Sequence, residues 1–239
     1  SDRYFNIGIC EPATVNIAAG ISKVGLNPVI HTIAPFLTER SYEQIKLDLG
    51  YQDLPANIIS VGGSFDYSRL GCSHHCYTDV SLFAHLEKSQ IFLPGSSTEF
   101  RHLFKSNYNK NKINYFRLTE YPHNIELNSE LVSSGKGLKL KSGDDLSLIC
   151  LGPKLKQAHE ASVILFDDYN ISVDLIYINS FKPFDSKLIL DSVKKTKNFI
   201  SIEELSHHGG LYSRCLEALA GTSFNLSKQL AVDDFIKGY

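Results

Sequence analysis

The sequence predicts an α/β fold made of two three-layer α/β/α domains with mainly parallel sheets, the second domain being the smaller. Three observations lead to this prediction. Short apolar runs alternate with longer stretches whose apolar residues recur every three or four positions, which is typical of strands followed by helices. A polar stretch over residues 122–144, rich in Gly, Ser and Asn, interrupts the alternation. The same alternation then resumes toward the C-terminus.

In the first half, strand and helix signals follow one another. The apolar runs that predict strands are residues 4–10, 27–31, 57–61, 90–94 and 113–118. The amphipathic stretches that predict helices are residues 12–24, 38–49, 78–86 and 97–105. Ser96, followed three residues later by Glu99, is a capping-box pattern that marks the start of the last helix.

The second half repeats the alternation over a shorter length. Its predicted strands are residues 145–151, 172–178 and 199–202, and its predicted helices are residues 154–167, 186–195 and 210–220. We therefore divide the chain into a first domain at 1–121, a linker at 122–144 and a second domain at 145–239.

The composition narrows the classes of function. The chain has 239 residues, of which 43% are hydrophobic and 21% charged, as in ordinary globular domains. A net charge of -2 gives no basic surface for nucleic acid. No apolar run approaches the roughly 20 residues of a membrane span, so we expect no membrane partner. Five cysteines at scattered positions fit reduced thiols and a cytoplasmic location.

The chain contains no Met, even at its first position. We therefore expect either a processed piece of a longer chain or a sequence from which residues have been lost. The predicted strand at 4–10 begins almost at the first residue, with nothing before it to cover it. For this reason we also expect that an N-terminal segment is missing.

Glu11 lies between the apolar run that ends at Cys10 and the amphipathic stretch over residues 13–21. The sequence thus predicts a carboxylate at a strand-to-helix junction, near the positive end of a helix dipole. An acidic residue in a first turn commonly serves only to favour the helix, by roughly 0.3–1 kcal/mol. A carboxylate held half out of water can also make a directed hydrogen bond to a heterocycle or hold a proton.

The most unusual motif is the pentad at residues 72–76, Cys-Ser-His-His-Cys, which follows Gly71. Its side chains are zinc-ligand types, but the spacing is wrong and the other cysteines supply no second pair, so we expect no metal site. A Cys–His nucleophile needs a geometry that adjacency in sequence does not set. Two further interpretations remain: the histidines contact a substrate, or they only hydrogen-bond the backbone.

Other residues carry two interpretations each. Phe36 and Tyr42 flank the segment 38–40 at a predicted helix start, where they either pack in the core or form a platform for a flat ring. Arg117 ends a strand, where it either pairs with a carboxylate or clamps a phosphate or carboxylate. The His-His-Gly-Gly segment at 207–210 is either a tight turn or part of a ligand site at a sheet edge.

Taken in order, these segments resemble one family. Over nearly its whole length the chain is similar to the pyrimidine-binding and C-terminal domains of thiamine diphosphate-dependent transketolases, as in the C-terminal subunits of split transketolases. The segments that carry the resemblance are the run that ends in Glu11, residues 36–45, residues 71–75, Arg117, residues 180–185 and residues 203–210. It implies a pyrimidine-binding-type domain at 1–121 and a transketolase C-terminal-type domain at 145–239.

The resemblance also implies roles for the candidate residues. Glu11 would be catalytic, through a hydrogen bond to N1′ of the cofactor aminopyrimidine that favours the proton-accepting imino tautomer. Phe36 would stack on the pyrimidine, with Tyr42 as a neighbour. His74 would be catalytic and face the substrate or the thiazolium, and Arg117 would hold the distal phosphate of a sugar phosphate.

Three residues depart from the family pattern. Leu70 stands where sugar-specific members have Asp, and Cys72 replaces Pro. His75, which we also expect to contact the substrate, replaces Gln. The donor substrate therefore need not be an ordinary ketose phosphate.

The family's diphosphate–magnesium motif has no acceptable counterpart in this chain. The segment 143–145 and Asn170 are only superficially similar to it, because a strand rather than a helix follows. We therefore expect that an N-terminal, diphosphate-binding subunit supplies the Mg²⁺ ligands and that this chain alone is inactive. The assembly would be a homodimer or an α2β2 heterotetramer with the active site between chains.

The leading hypothesis is a transketolase-like transferase that moves a two-carbon ketol unit between sugar phosphates or related substrates. The alternatives are the β subunit of a 2-oxo acid dehydrogenase, a deoxyxylulose phosphate synthase-like enzyme, and a non-catalytic assembly module. Leu70 weakens the leading hypothesis, whereas segment 38–40 favours it over the dehydrogenase. The joint presence of Glu11, His74 and Arg117 argues against the non-catalytic module.

Overall fold

The first of two mainly parallel sheets is built from the N-terminal half of the chain and one strand of the C-terminal half. The computed structural model describes residues 3–63 and 65–235. The strand order of this sheet is β1-β2-β4-β3-β8, and only β8 is antiparallel to its neighbour. Its strands are β1 (Val29–Ile33), β2 (Ala56–Val61), β3 (Ser89–Phe92), β4 (Ile113–Arg117) and β8 (Ser180–Lys182).

The second sheet has the order β10-β9-β6-β7-β5, in which only β5 is antiparallel to its neighbour. Its strands are β5 (Leu138–Lys141), β6 (Leu146–Leu151), β7 (Val173–Ile178), β9 (Asn198–Ser206) and β10 (Leu226–Val232). The central strands β6 and β7 are buried along their whole length, as expected for parallel strands covered on both faces. The predicted α/β fold with two mainly parallel sheets is confirmed.

Helices flank both sheets. Those of the first half are α1 (Glu11–Lys23), α2 (Ala34–Thr38), α3 (Tyr42–Gln44), which continues as a π-helix (Ile45–Tyr51), α4 (Asp79–Ala84) and α5 (Ser97–Asn107). Those of the second half are α6 (Leu155–Tyr169), α7 (Ser186–Thr196) and α8 (Leu211–Ala218). Short 3₁₀ turns occur at Ser68–Leu70, Ser129–Leu131 and Gly152–Lys154. Of the helices described, none has the length and hydropathy needed to cross a bilayer.

The predicted strand at residues 4–10 is wrong. Residues 3–10 are exposed and form no strand, and the Cys10 N–H donates to the Gly8 carbonyl in a local turn. The side chains of Tyr4, Phe5 and Ile9 are 75%, 71% and 88% exposed. A short apolar run carries too little periodicity to decide whether it is buried, which is why this run gives a false strand signal.

The predicted helix at 38–49 also differs from the structure, because a turn at residues 39–41 separates α2 from α3. Both the Glu39 and Arg40 N–H groups donate to the Pro35 carbonyl, and the Ser41 hydroxyl donates to the Phe36 carbonyl. Side-chain bonding of the kind made by Ser41 competes with a continuous helix.

Three short or edge strands, β5, β8 and β10, are present in addition to the predicted ones.

The two halves of the chain interlock. The Leu93 N–H donates to the Asn179 carbonyl at 2.8 Å, and the ammonium of Lys182 donates to the Ala84 and Leu86 carbonyls at 3.0 and 2.7 Å. One apolar cluster contains Ile58 and Tyr115 of the first sheet together with Ile149 and Ile176 of the second. The linker predicted at 122–144 includes β5 of the second sheet, and the division at 1–121 and 145–239 stays a prediction.

A buried carboxylate, that of Glu99, lies at the centre of this junction. The Glu99 N–H donates to the Ser96 hydroxyl at 3.3 Å, as expected for a capping pattern. The Glu99 carboxylate accepts hydrogen bonds from His123 Nε2, Tyr177 Oη and Asn179 Nδ2 at 2.7, 2.6 and 2.9 Å. Because the Ile125 N–H donates to His123 Nδ1, the ring hydrogen of His123 lies on Nε2. Burial alone would raise the pKa of Glu99, but these hydrogen bonds outweigh it and lower the pKa.

Replacing Glu99 by Gln is expected to lower the free energy of unfolding by about 1–3 kcal/mol, because an amide nitrogen would face groups that also donate. Urea denaturation followed by circular dichroism measures the change. Glu160→Gln, at an exposed position of α6, is the matched control and should change stability by less than about 0.5 kcal/mol. Equal effects of the two substitutions would contradict the assignment.

Candidate functional site

Glu11 is the first residue of α1, with Cys10 as the N-cap and Pro12 in the first turn. Its side chain is buried, although the segment before it is an exposed turn rather than the predicted strand. The helix dipole favours an anion at this position. The helix-start position of the carboxylate is therefore as predicted, whereas the element that leads into it is not.

Three side chains, those of Glu11, Arg40 and Phe36, form one contact group. Arg40 Nη1 donates to Glu11 Oε2 at 3.1 Å. The guanidinium carbon of Arg40 lies 4.1 Å from the centre of the Phe36 ring. The turn at residues 39–41 brings Arg40 back over α2, so that its planar group contacts both the carboxylate and the aromatic face. The sequence pattern marks segment 38–40 only as a helix start and gives no signal for this role of Arg40.

His74 joins this group through a contact with Phe36. Its ring centre lies 5.0 Å from that of Phe36, with the planes 76° apart, which is an edge-to-face contact. His74 Nδ1 lies 2.9 Å from the Ser73 hydroxyl. The His74 and His75 N–H groups both donate to the Gly71 carbonyl, so the loop holds itself in place. The structure thus brings together Glu11, Phe36 and His74.

His75 points away from this group into the protein. Its side chain is buried between the rings of Phe65 and Tyr77, whose centres lie 5.0 and 4.8 Å from its own. Within the part of the chain that the structure describes, neither ring nitrogen has a hydrogen-bond partner. Burial, together with the charge of Arg117, lowers the pKa of His75 to about 4. The imidazole is therefore neutral at physiological pH.

Arg117 is buried at the end of β4, where it makes an internal ion pair. Its Nε donates to Asp79 Oδ2 at 2.8 Å, and its Nη2 donates to the Cys76 carbonyl at 2.9 Å. A side chain at Gly63 would place Cβ 2.7 Å from the guanidinium carbon, so the backbone packs directly against this group. Tyr115 extends the network by donating its hydroxyl hydrogen to Asp79. The strand-end Arg therefore pairs with a carboxylate, and its contact with a substrate phosphate stays a prediction.

Tyr42 lies at the start of α3, half-buried against the apolar core. Burial raises the pKa of its hydroxyl. The ring contacts of Phe36 that the structure describes are with His74 and Arg40. The cofactor role of Tyr42 stays a prediction.

The cysteines around the site are free thiols, of which Cys72 is exposed and Cys76 buried. Burial raises the pKa of Cys76 well above the usual thiol range, which disfavours the nucleophilic thiolate. Among residues 3–63 and 65–235, no three His, Cys, Asp or Glu side chains are grouped as metal ligands would be. Cys76 also contacts Glu39, whose pKa is raised by burial.

The His-His-Gly-Gly segment at 207–210 is a turn that leads into α8. Gly209 has a φ of +73°, and a side chain there would place Cβ 2.9 Å from the Cβ of Ser81. The carboxylate of Glu203 accepts from the Leu211 and Tyr212 N–H groups and so caps α8. The turn at 207–210 is therefore explained by the backbone geometry at Gly209 and by the capping of α8.

Comparison with known families places two domains in this chain. The model described as "Transketolase, pyrimidine binding domain" matches residues 1–122, and the one described as "Transketolase, C-terminal domain" matches residues 135–233. A solved structure titled "Split gene transketolase, inactive beta4 tetramer" superposes with a TM-score of 0.88 and 28% identity, and the match covers 98% of this chain and 76% of that one.

Two curated proteins are similar to the chain over most of its length. It is 30% identical over 221 residues to a subunit of the apulose-4-phosphate transketolase of Actinobacillus succinogenes, covering 92% of this chain and 70% of that protein. It is 29% identical over 219 residues to 1-deoxy-D-xylulose-5-phosphate synthase of Halothermothrix orenii, covering 90% of this chain. The chain spans only 34% of the length of that synthase.

His75 is expected to stay neutral across the physiological range. In an NMR titration its Cε1–H resonance should move with a midpoint near pH 4, whereas that of His207 should move above its ordinary range because hydrogen bonds to Gln229 and Asp233 raise its pKa. Since the unfolded chain binds this proton near pH 6.5, His75 makes folding stability fall as the pH drops from about 6.5 to about 4. The substitution His75→Phe assigns the resonance, and a midpoint between 6 and 7 would contradict the buried position.

Replacing Asp79 by Ala is expected to lower the free energy of unfolding by about 3–5 kcal/mol, because it leaves the buried guanidinium of Arg117 without its carboxylate. Asp191→Ala breaks the exposed Lys187–Asp191 pair on α7 and should cost less than about 1 kcal/mol. Urea denaturation measures both. A loss below about 1 kcal/mol for Asp79→Ala would show that Arg117 does not depend on this pair.

Proposed function

Because this chain belongs to the transketolase family, we propose that it is the C-terminal subunit of a thiamine diphosphate-dependent, transketolase-like enzyme. The reaction would transfer a two-carbon ketol unit between sugar phosphates or related substrates. The match over 70% of the length of one subunit of a transketolase that is divided into subunits supports the assignment to a subunit. The similarity to a split-gene transketolase supports the same assignment.

The observation that carries this proposal is the set of contacts made by Arg40. Its guanidinium is a planar N–H donor that stacks on Phe36 and hydrogen-bonds Glu11. An aminopyrimidine is also a planar group with N–H donors, and it too needs an aromatic face and an acidic partner. The residues present therefore fit the pyrimidine end of the cofactor.

Each residue of this group has a role in the proposal. When bound, thiamine diphosphate would supply the nucleophilic carbon that carries the two-carbon unit. Glu11 would hold a proton at pyrimidine N1′, and Phe36 would support the pyrimidine ring, with Tyr42 as a neighbour behind it. His74, edge-on to Phe36, would contact the substrate beside the pyrimidine.

On the substrate side we propose His75 and Arg117 as further determinants. His75 is neutral, and among the described residues neither of its ring nitrogens has a hydrogen-bond partner, so both could serve a substrate hydroxyl. Arg117 holds that loop through the Cys76 carbonyl. The backbone at Gly63 packs closely against the Arg117 guanidinium, which keeps this group in place at the end of β4.

We propose that a separate N-terminal subunit holds the diphosphate and Mg²⁺, because the sequence offers no acceptable motif for them. The assembly would be a homodimer of this chain or, with the partner, an α2β2 heterotetramer. A cytoplasmic location is supported by five cysteines that are all free thiols.

A second candidate function is that of a deoxyxylulose phosphate synthase-like enzyme. The 29% identity to such a synthase favours it. Leu70, exposed next to the histidine loop, also fits a substrate other than an ordinary ketose phosphate, because an apolar side chain does not bind a sugar hydroxyl. The same Glu11–Phe36 group would serve both reactions.

Replacing Glu11 by Gln is expected to lower kcat by about 100-fold or more, because the amide cannot exchange the proton. The assay mixes this chain with candidate N-terminal subunits, thiamine diphosphate and Mg²⁺, and measures ketol transfer from ketose phosphates and condensation of pyruvate with aldehyde phosphates. Glu126→Gln, at an exposed position, is the control. Unchanged turnover in Glu11→Gln would remove Glu11 from the mechanism. Complexes that form but catalyse neither reaction would exclude both candidate functions.

A further inference from the structure

Arg40 contacts the same two groups that the proposed function assigns to the pyrimidine. The side of the Phe36 ring that it covers is the side toward Glu11, because one guanidinium touches both residues. A heterocycle that bonds Glu11 and stacks on Phe36 must lie on this side, at a comparable height above the ring. The guanidinium and the heterocycle therefore exclude each other.

Arg40 and the pyrimidine also use the same acceptor. Arg40 Nη1 donates to Glu11 Oε2 at 3.1 Å, and this carboxylate is the group that the proposed function offers to pyrimidine N1′. The pyrimidine therefore replaces Arg40 as the partner of Glu11 when the cofactor binds.

The contacts of Arg40 are weak enough to be reversed. Its side chain is 48% exposed, whereas that of Glu11 is 8% exposed, so Arg40 is the partner with freedom to move. A half-exposed ion pair and a half-exposed cation–π contact together change an equilibrium constant by about tenfold. Such a contact holds a site closed without blocking it permanently.

We propose that Arg40 is a latch that occupies the pyrimidine place in the free subunit and swings out when the cofactor binds. This inference rests on the proposed function. Beyond that function, the latch means that the chain regulates access to its own site, because Arg40 competes with the ligand. Cofactor affinity is then reduced by the fraction of molecules in which the latch is closed.

The test measures binding of 4-amino-2,5-dimethylpyrimidine to the full chain, by ligand-observed NMR and calorimetry. Arg40→Ala should bind this probe about tenfold more tightly than the unchanged chain. Arg101→Ala, at an exposed position of α5, is the matched control and should bind as the unchanged chain does. Thermal unfolding checks that all three proteins are folded.

Two further measurements make the test specific for the latch. Raising NaCl from 50 to 500 mM should tighten binding to the unchanged chain, because salt screens the half-exposed ion pair, and should leave Arg40→Ala unaffected. Methylguanidinium should compete with the pyrimidine for Arg40→Ala, since it replaces the missing group. In a protein that carries both Arg40→Ala and Glu11→Gln, methylguanidinium should compete less strongly with the pyrimidine.

The outcomes separate the latch from the proposed function. Equal affinity of Arg40→Ala and the unchanged chain would overturn the latch and leave the pyrimidine site intact. Weaker binding by Arg40→Ala would also overturn it, since Arg40 would then hold the ligand rather than compete with it. If neither protein bound the probe at 10 mM, both the latch and the pyrimidine site would be rejected.

Discussion

The buried carboxylate of Glu99 joins the two halves of the chain, and the edge of the first sheet depends on that junction. Glu99 belongs to α5, whereas the groups that donate to it, on His123, Tyr177 and Asn179, come from the connecting segment and the end of β7. A charge withdrawn from water is stable only when donors replace its hydration. Since β8 begins directly after Asn179, the same network sets β8 beside β3 and completes the sheet.

The carboxyl edge of the first sheet also has a fixed floor and an adjustable rim. The floor is the buried network of Arg117, Asp79 and Cys76, in which burial raises the pKa of the thiol. The rim consists of Glu11 and Arg40, whose ion pair is half-exposed. Buried ion pairs resist rearrangement because a separated charge is costly, whereas exposed pairs exchange readily. The pair at the rim is therefore the one that exchanges more readily.

Local sequence patterns predicted the elements that depend on neighbouring residues. The alternation of apolar runs predicted the parallel sheets, and Ser96 with Glu99 predicted the start of α5. What the patterns could not predict depends on residues distant in sequence. The donors to Glu99 lie up to 80 residues away, and the burial of Arg117 depends on Asp79 and on the backbone at Gly63. The position of Arg40 depends on the turn at residues 39–41, which ends α2. The spacing of apolar residues that predicts a helix does not reveal this turn.

The antiparallel strand β8 has a consequence for how such genes can be divided. It is encoded in the C-terminal half but covers the β3 edge of the N-terminal sheet. A gene break between the two halves would leave the edge of β3 that faces β8 uncovered until the two products associate, and an uncovered edge invites pairing with other chains. The break would also separate the Glu99 carboxylate from two of its hydrogen-bond donors, Tyr177 and Asn179. A continuous chain keeps this edge covered from the moment that its second half folds.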